Sequence, residues 1–252
     1  MKQVKLYKGK VIINFEENKE REIHKFTDNQ GNTIPAVTSI TGIIDKSRAL
    51  IPWAVGLARD FLIALIEKGE RIGINHVEDA CQEHNKKRKK AGDIGTQIHD
   101  FIEKWIKNEK TEMPMDEKVR NGVIAFLDWV RSAKIKLRNS EAIVYSRKYN
   151  YAGIVDADGK INGKEYIFDF KSSKRNKYNN TGFYNEQRYQ LAGYWLAREE
   201  EMEKQYDGGY LIRFDKEDGS FQTLFISRAE YEKDKQAFLG ALKIKEREKE
   251  LK

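Results

Sequence analysis

Hydrophobic and polar positions along the chain predict a β-rich start followed by a helical first half. Apolar and polar residues alternate over 10–27, which predicts an N-terminal hairpin, and a turn cluster follows at 28–32. Apolar positions at helical spacing predict helices over 53–67, 76–110 and 116–136. Gly92 and Gly95 mark a point where the second of these helices could break.

The pattern changes to short β segments after residue 140. Three antiparallel strands are predicted over 141–148, 151–158 and 164–171, because turn residues separate them at Asn150 and at Asn162-Gly163. A helix over 184–204, a hairpin of 209–214 and 221–227 around Asp218-Gly219, and a charged helix from Arg228 onward complete the prediction.

Composition adds a weak preference for a polyanionic partner. Lys and Arg number 47 against 40 Asp and Glu, a net charge of +7, and the pI is near 9.1. This excess favours nucleic acid but is also common in proteins that never bind it.

Cysteine usage and hydropathy bound the cellular setting. The single cysteine, Cys81, excludes an internal disulfide framework and a four-cysteine zinc or iron–sulfur site, and it predicts a reducing compartment. The longest apolar run, Phe61 to Ile66, is too short to cross a bilayer. We therefore expect a soluble, cytoplasmic protein without membrane contact.

The stretch that carries chemistry is the pair of predicted strands ending in Asp156 and Lys171. Residues two apart on a strand share a face, so Asp169 and Lys171 point together, away from Phe168 and Phe170. If the strands pair across the hairpin, Asp156 comes close to Asp169. Two converging carboxylates favour a hard divalent cation between them, and the Lys ammonium can orient a water molecule or offset charge on phosphorus.

This arrangement resembles the PD-(D/E)XK nuclease superfamily, specifically its RecB-like exonuclease branch. Gly-x-x-Asp at 153–156, a hairpin, and Asp-x-Lys at 169–171 carry the resemblance. Residues 95–103 resemble the Gly-x-x-x-His-x-x-x-Glu helix of that branch, and residues 190–194 resemble its Gln-x-x-x-Tyr element. Residues 34–40 resemble the Pro-Ser-Val-Thr opening of phage nucleases and of the mitochondrial genome maintenance exonuclease, with Ala36 where Ser is commoner.

The resemblance implies an α/β fold with a restriction-endonuclease-like core, in which helices flank a central mixed β-sheet. It leads us to expect a single nuclease domain over 1–252. Within it, 1–92 form the N-terminal hairpin and helical elaboration, 93–227 the catalytic core, and 228–252 a C-terminal helix.

The resemblance also implies a site and its cofactor. We expect Mg²⁺ or Mn²⁺, and no iron–sulfur cluster. The implied metal ligands are His99, Asp156, Asp169 and the Phe170 carbonyl. Lys171 would assist the reaction, and Gln190 and Tyr194 would position that lysine or the DNA.

The expected substrate is DNA, single-stranded or with a free end, cut by an exonuclease of replication, recombination or repair. The chain lacks the Gly-x-x-x-x-Gly-Lys-Ser/Thr motif of helicases, so unwinding would come from a helicase or recombination partner. A phage origin follows from the resemblance alone. The sequence leaves open exonuclease against endonuclease, and DNA against RNA. The alternative is a catalytically silent DNA-binding accessory protein of the same fold.

Several candidate residues also have an ordinary structural interpretation. His99 could be a packed helix histidine, and Glu103 is equally a surface charge. Glu141 could support the site or be an exposed strand-end residue. Asp158 competes with Asp156, but it precedes Gly159, where a turn aspartate is expected.

The remaining candidates concern the helix after the Asp-x-Lys strand and the nucleic-acid surface. Gln190 and Tyr194 could lie on a helix boundary, a face that Gln187 shares. The basic run Lys86, Lys87, Arg88, Lys89 and Lys90 could hold phosphates or be a solvated helix face. Trp53, Tyr178 and Tyr184 could stack on bases or pack in the core.

Overall fold

The structure is a computed structural model that describes residues 2–18, 23–173, 181–215 and 220–251, with the side chains of these residues other than 18, 23 and 90–93. The strands are β1 (Lys2–Leu6), β2 (Val11–Asn18), β3 (Ile23–Thr27), β4 (Thr33–Ile34), β5 (Lys136–Arg138), β6 (Ala142–Ser146), β7 (Tyr151–Val155), β8 (Ala157–Ile161), β9 (Lys164–Ser172), β10 (Gly208–Phe214) and β11 (Phe221–Ser227). The helices are α1 (Val37–Thr41), α2 (Ser47–Glu67), α3 (Ile74–Ile106), α4 (Glu117–Ser132), α5 (Asn185–Met202) and α6 (Arg228–Glu250).

The central sheet has the strand order β11-β10-β9-β8-β5. β9 and β10 are parallel and are joined by α5, while the other neighbours are antiparallel. Helices cover both faces of this mixed sheet. The predicted fold class, an α/β core with a central mixed sheet flanked by helices, is therefore confirmed.

Alternate residues of β9 pack into two different layers. Ile167 joins Trp195 of α5 and Phe238 of α6 on one face. Phe168 and Phe170 join the layer of α3 and α4 on the other face, together with Phe126. Both faces of β9 are buried, as expected for the central strand of a sheet with a parallel neighbour. Asp169 shares the face of Ile167 and therefore points toward α5.

The N-terminal segment forms a four-stranded antiparallel sheet of order β1-β2-β3-β4. The predicted hairpin corresponds to β2 and β3, and the flanking strands β1 and β4 were not predicted. The turn cluster connects β3 to β4, where the Asp28 carboxylate accepts hydrogen bonds from the backbone N–H groups of Gln30 and Asn32. This sheet packs on Ala152 of β7.

The prediction of three consecutive antiparallel strands was wrong in its pairing. The predicted strand 151–158 bends at Asp156 and forms two strands, since β7 pairs with β6 whereas β8 pairs with β9. The short β5 was not predicted, and it pairs with the outer edge of β8. The bend places Asp156 at the junction of the two-stranded and five-stranded sheets.

The helices agree with the predicted periodicity, with one exception. Asp116 accepts hydrogen bonds from the backbone N–H groups of Lys118 and Val119 and so caps the start of α4. α3 continues from Ile74 to Ile106, so the possible break near Gly92 and Gly95 does not occur. The proposed boundary between 92 and 93 lies within this helix, and the domain division stays a prediction.

Helix α2 differs from the expectation based on consecutive apolar residues. By length and composition it is the one helix of the described residues able to cross a membrane, although none of its residues is buried. The search for a long run of consecutive apolar residues did not identify α2, because the charged residues Arg59 and Asp60 interrupt its apolar sequence. Length and composition alone are weak evidence of a membrane span.

Candidate metal centre

Asp156, Asp169 and Lys171 lie together where β8 begins beside β9. The Lys171 Nζ is 2.6 Å from Asp169 Oδ2, and Asp169 is 1% exposed. Ala157 pairs with Phe168, which places Asp156 opposite Asp169. The Phe170 N–H donates a hydrogen bond to Asp156 Oδ2 over 2.5 Å.

The backbone N–H and C=O of Phe170 also point toward Asp156. The N–H and C=O of a strand residue point to the same side of the strand. The N–H of Phe170 points at Asp156, the residue directly before β8. Its carbonyl oxygen is therefore directed to the side of β9 on which Asp156 lies.

His99, Glu141 and Asp156 form a cluster of potential metal ligands. One ligand atom from each lies within 4.8 Å of those of the other two. Glu141 donates its backbone N–H to the Asp156 carbonyl over 3.1 Å, which holds the start of β6 beside the bend. Asp169 is not within this group, because its carboxylate is turned toward Lys171.

Burial and mutual repulsion of the carboxylates raise their pKa values. The pKa of Glu141 is raised to about 8 by burial and then by the charges of Asp156 and Glu103. Burial raises the pKa of Asp169 to about 7, although the Lys171 ammonium opposes the shift. The pKa of Asp156 is also raised by burial, against the effects of Lys171 and the Phe170 N–H.

These properties fit a divalent cation. Asp169 Oδ1 is buried without a hydrogen-bond donor among the described residues, which leaves an acceptor for a further positive charge. A cation would also relieve the repulsion that raises the carboxylate pKa values. Carboxylate and carbonyl oxygens are ligands that hard divalent cations prefer, and imidazole is a further common metal ligand.

A close helix–strand contact sets the position of His99. A Cβ atom added to Gly95 would lie 2.5 Å from the Ser172 Cβ, so only glycine lets α3 approach β9 this closely. One turn further along α3, the His99 ring packs edge-to-face on Phe170, with ring centroids 6.0 Å apart. The Gly-x-x-x-His spacing thus has a steric cause.

A second glycine accommodates Tyr194. A Cβ atom at Gly153 would lie 2.5 Å from Cε1 of Tyr194, so the ring fills the space above β7. Gln190 Nε2 donates a hydrogen bond to the Tyr194 hydroxyl over 2.9 Å. Burial, followed by the charges of Asp169 and Asp156, raises the pKa of Tyr194, so its neutral hydroxyl faces the carboxylates.

Other candidate residues have structural partners. Asp158 is buried and bonded to Arg198 at 3.0 Å and to the Asn139 amide at 3.0 Å. Glu103 forms an ion pair with Lys107, and its charge also contributes to the raised pKa of Glu141. The Gln187 side chain accepts the Tyr184 N–H over 3.0 Å and caps α5.

The basic run lies on α3, ahead of His99. Lys86 is paired with Glu83 at 2.8 Å and lies over the Phe61 ring. Lys87, Arg88 and Lys89 are exposed, while the side chain of Lys90 is outside the described residues. The run is 9 to 13 residues before His99, a distance of about 14–20 Å along the helix. The structure does not bring it to the cluster.

The aromatic candidates do not gather at the cluster either. Trp53 packs edge-to-face on His84 between α2 and α3, and Tyr184 is the N-cap residue of α5. Tyr178 lies outside the described residues.

Glu141 is the residue that sequence reasoning left undecided. Ser146 pairs with Tyr151 around the turn at Asn150, and counting back along this hairpin places Glu141 opposite Asp156. The hairpin signal at Asn150 could therefore have identified it.

Comparisons with known proteins complete the description. No family model matches the chain, and no curated protein matches it. The solved structure named SSO0001 is 12% identical with a TM-score of 0.29, covering 48% of this chain and 56% of that chain. An alkaline exonuclease from Laribacter hongkongensis is 13% identical with a TM-score of 0.30, covering 57% of this chain and 78% of that chain. Likenesses this low say nothing about the reaction, so function rests on the site.

Proposed function

We propose that the chain is a divalent-metal-dependent nuclease that hydrolyses phosphodiester bonds of DNA. The observation that carries this function is the convergence of Asp156, Asp169 and Lys171 at the start of β8, beside the cluster of His99, Glu141 and Asp156. A carboxylate pair made of the buried Asp169 and the half-buried Asp156, with a lysine beside it, has no evident structural purpose, since hydrophobic residues would pack there at lower cost.

The proposed ligand set combines both groups. Asp156, Asp169, the Phe170 carbonyl and His99 hold the cation, and the position of Glu141 adds a further carboxylate. When bound, Mg²⁺ or Mn²⁺ supplies positive charge for the scissile phosphate and lowers the pKa of water.

Lys171 and Tyr194 act on the substrate side of the cluster. The Lys171 Nζ lies 2.6 Å from Asp169 Oδ2, and from this position it can donate hydrogen bonds to phosphate oxygens as negative charge grows on them. Gln190 and the Tyr194 hydroxyl are hydrogen-bonded together beside these carboxylates. These two side chains orient Lys171 or the DNA strand.

End-labelled linear DNA, single- and double-stranded, and a closed circle provide the test. With Mg²⁺, we expect the wild-type protein to degrade the linear substrates and Lys171→Ala to lose this activity while keeping its circular dichroism spectrum. The exposed Lys243→Ala is the matched control and should cut normally.

The pattern of cleavage separates the finer functions. Degradation of linear DNA alone indicates an exonuclease, whereas cutting of the circle indicates an endonuclease. Retained cleavage by Lys171→Ala would refute the assigned role. Tight DNA binding without cleavage of any substrate would instead support a silent accessory protein.

A further inference from the structure

A groove of about 440 Å³ lies outside the candidate metal centre, between the C-terminal ends of α3 and α4 and the start of β5. Leu127, Val130 and Ile135 form its apolar lining. Trp105 forms a wall, with 36% of its surface exposed and its ring packed edge-to-face on Phe126. The groove therefore offers a flat, apolar place for a planar group.

Positive charge surrounds this groove without a matching negative charge. Arg131, Lys134 and Lys136 line it, and no acidic residue does. The Asp128 carboxylate is 3.4 Å from Arg131, but both side chains are mostly exposed, so this pair is weak. Lys134 and Lys136 form no ion pair within the described part of the chain. The ligand that fits is an anion with an apolar or aromatic portion.

Lys134 has an unusual backbone conformation. Its φ of 52° is in the left-handed region, just after the C-cap residue of α4, where glycine is strongly preferred. A cation at this position also complements the dipole of α4, as does Arg131. That explanation does not extend to Lys136, which lies on β5 beyond the helix.

Two elements connect the groove with the candidate metal centre. α3 carries both His99 and Trp105, which are about 9 Å apart along the helix axis. β5 carries Lys136 and leads within five residues to Glu141, which limits their separation to about 18 Å. A chain of a few nucleotides spans these distances.

We propose that the groove binds a nucleotide of a single-stranded substrate, a few nucleotides from the phosphate at the metal centre. The base lies against Trp105 and the apolar lining, while Lys134, Lys136 and Arg131 contact the phosphates. This assignment rests on the proposed nuclease function. An acidic peptide with an apolar side chain would meet similar chemistry, but continuity with the metal centre favours nucleic acid.

The test measures how binding depends on salt. A labelled oligothymidylate of about 12 nucleotides is titrated by fluorescence anisotropy without divalent metal, using wild type and Lys134→Gln/Lys136→Gln. The slope of log K against log salt is negative, and each lost phosphate contact reduces its magnitude by about 0.7, so the magnitude should be about 1.4 smaller in the double variant. The matched control, Lys243→Gln/Lys249→Gln, removes two exposed charges from α6, on the other side of the sheet, and should keep the wild-type slope.

A second variant tests the base contact. Trp105→Leu should weaken binding about fivefold or more, since stacking of a base on an aromatic ring has this magnitude. The salt slope should remain that of wild type, because no phosphate contact is lost. Circular dichroism confirms that this variant is folded.

An unchanged slope and affinity for Lys134→Gln/Lys136→Gln would overturn the nucleotide site, and intact cleavage in that case would leave the nuclease function standing. Binding of a short acidic peptide ending in phenylalanine, lost in the double variant while the oligonucleotide slope is unchanged, would make the groove a protein-docking site and would also overturn it. A reduced slope in a protein that never cleaves DNA would support the nucleotide site and refute hydrolysis. Absence of any oligonucleotide binding by wild type would refute the nucleotide site, and the cleavage assay with Mg²⁺ would decide the nuclease function separately.

Discussion

The absence of a side chain at Gly153 leaves the space that the Tyr194 ring occupies. Gly153→Ala should lower the free energy of unfolding by about 1–3 kcal/mol, because the new methyl group would lie 2.5 Å from the ring. Urea unfolding in wild-type and Tyr194→Leu backgrounds measures the coupling, and the cost should be much smaller in the second background. An equal cost in both would show that the ring is not the cause.

The carboxylates predict how the stability of the metal-free protein depends on pH. The folded-state pKa values of Glu141 and Asp169, about 8 and about 7, exceed the ordinary value, which is about 4. The folded protein thus holds protons that the unfolded chain releases. Their contribution is complete below the ordinary carboxyl pKa and is lost as pH rises through about 7 to 8.

Urea unfolding in the presence of a chelator, between about pH 5 and pH 8, tests this dependence. The free energy of unfolding should fall with rising pH in wild type and fall less in Glu141→Gln, which cannot ionise. Identical pH profiles for the two proteins would exclude Glu141 as a source of the pH dependence of stability.

The acidic and basic residues of the site were predictable only in part from sequence. Asp169 and Lys171 share a face because of strand alternation, which is a local property. Glu141 depends on the pairing of β6 with β7, which the turn signal at Asn150 indicates, but its left-handed φ of 53° has no counterpart in the pattern of residue types. Asp169 turning toward Lys171 is likewise a result of packing.

At the scale of elements, the contact of α3 with β9 gives a prediction whose sign is diagnostic. Gly→Ala within a helix normally stabilises by about 1 kcal/mol. Gly95→Ala should instead destabilise, because its methyl group would meet the Ser172 side chain at 2.5 Å and push α3, with His99, away from β9. Thermal unfolding and Mn²⁺ calorimetry should show lower stability and weaker metal binding.

The control for this prediction removes the opposing side chain. In a Ser172→Gly background, Gly95→Ala should no longer destabilise, because the Cβ and Oγ atoms that it meets are absent. Destabilisation that persists there would place the cause elsewhere in α3.

Elements with a clear periodic pattern of apolar residues were predictable from sequence, whereas elements that form only through contact with another part of the chain were not. α4, α5 and the β10–β11 hairpin follow the spacing of their apolar residues. β5 has three residues and forms only because the β8 edge accepts it. At the bend, the Asp156 carboxylate accepts a hydrogen bond from the N–H of Phe170, which lies 14 residues further along the chain. Strand alternation is a local property and carries no sign of this contact, so it predicted a continuous strand.

At the scale of the whole molecule, the candidate metal centre joins distant parts of the chain. His99 comes from α3, Glu141 from the residues before β6, Asp156 from the β7–β8 junction and Asp169 from β9. These residues belong to different layers of the fold, so their ligand geometry exists only when the layers are assembled. The unfolded chain therefore has no comparable site.

It follows that Mg²⁺ or Mn²⁺ should stabilise the folded protein as a whole. At a concentration one hundred times Kd, the gain in the free energy of unfolding should be about 2.7 kcal/mol, read from thermal or urea unfolding. Asp156→Asn is the control, because its amide oxygen can still accept the Phe170 N–H while the charge is removed. This variant should be more stable than wild type without metal, since the repulsion of neighbouring carboxylates is relieved, and it should gain little when metal is added. An equal gain in both proteins would place the ion at another site, and no gain in wild type would mean that the carboxylates have a purpose other than holding a cation.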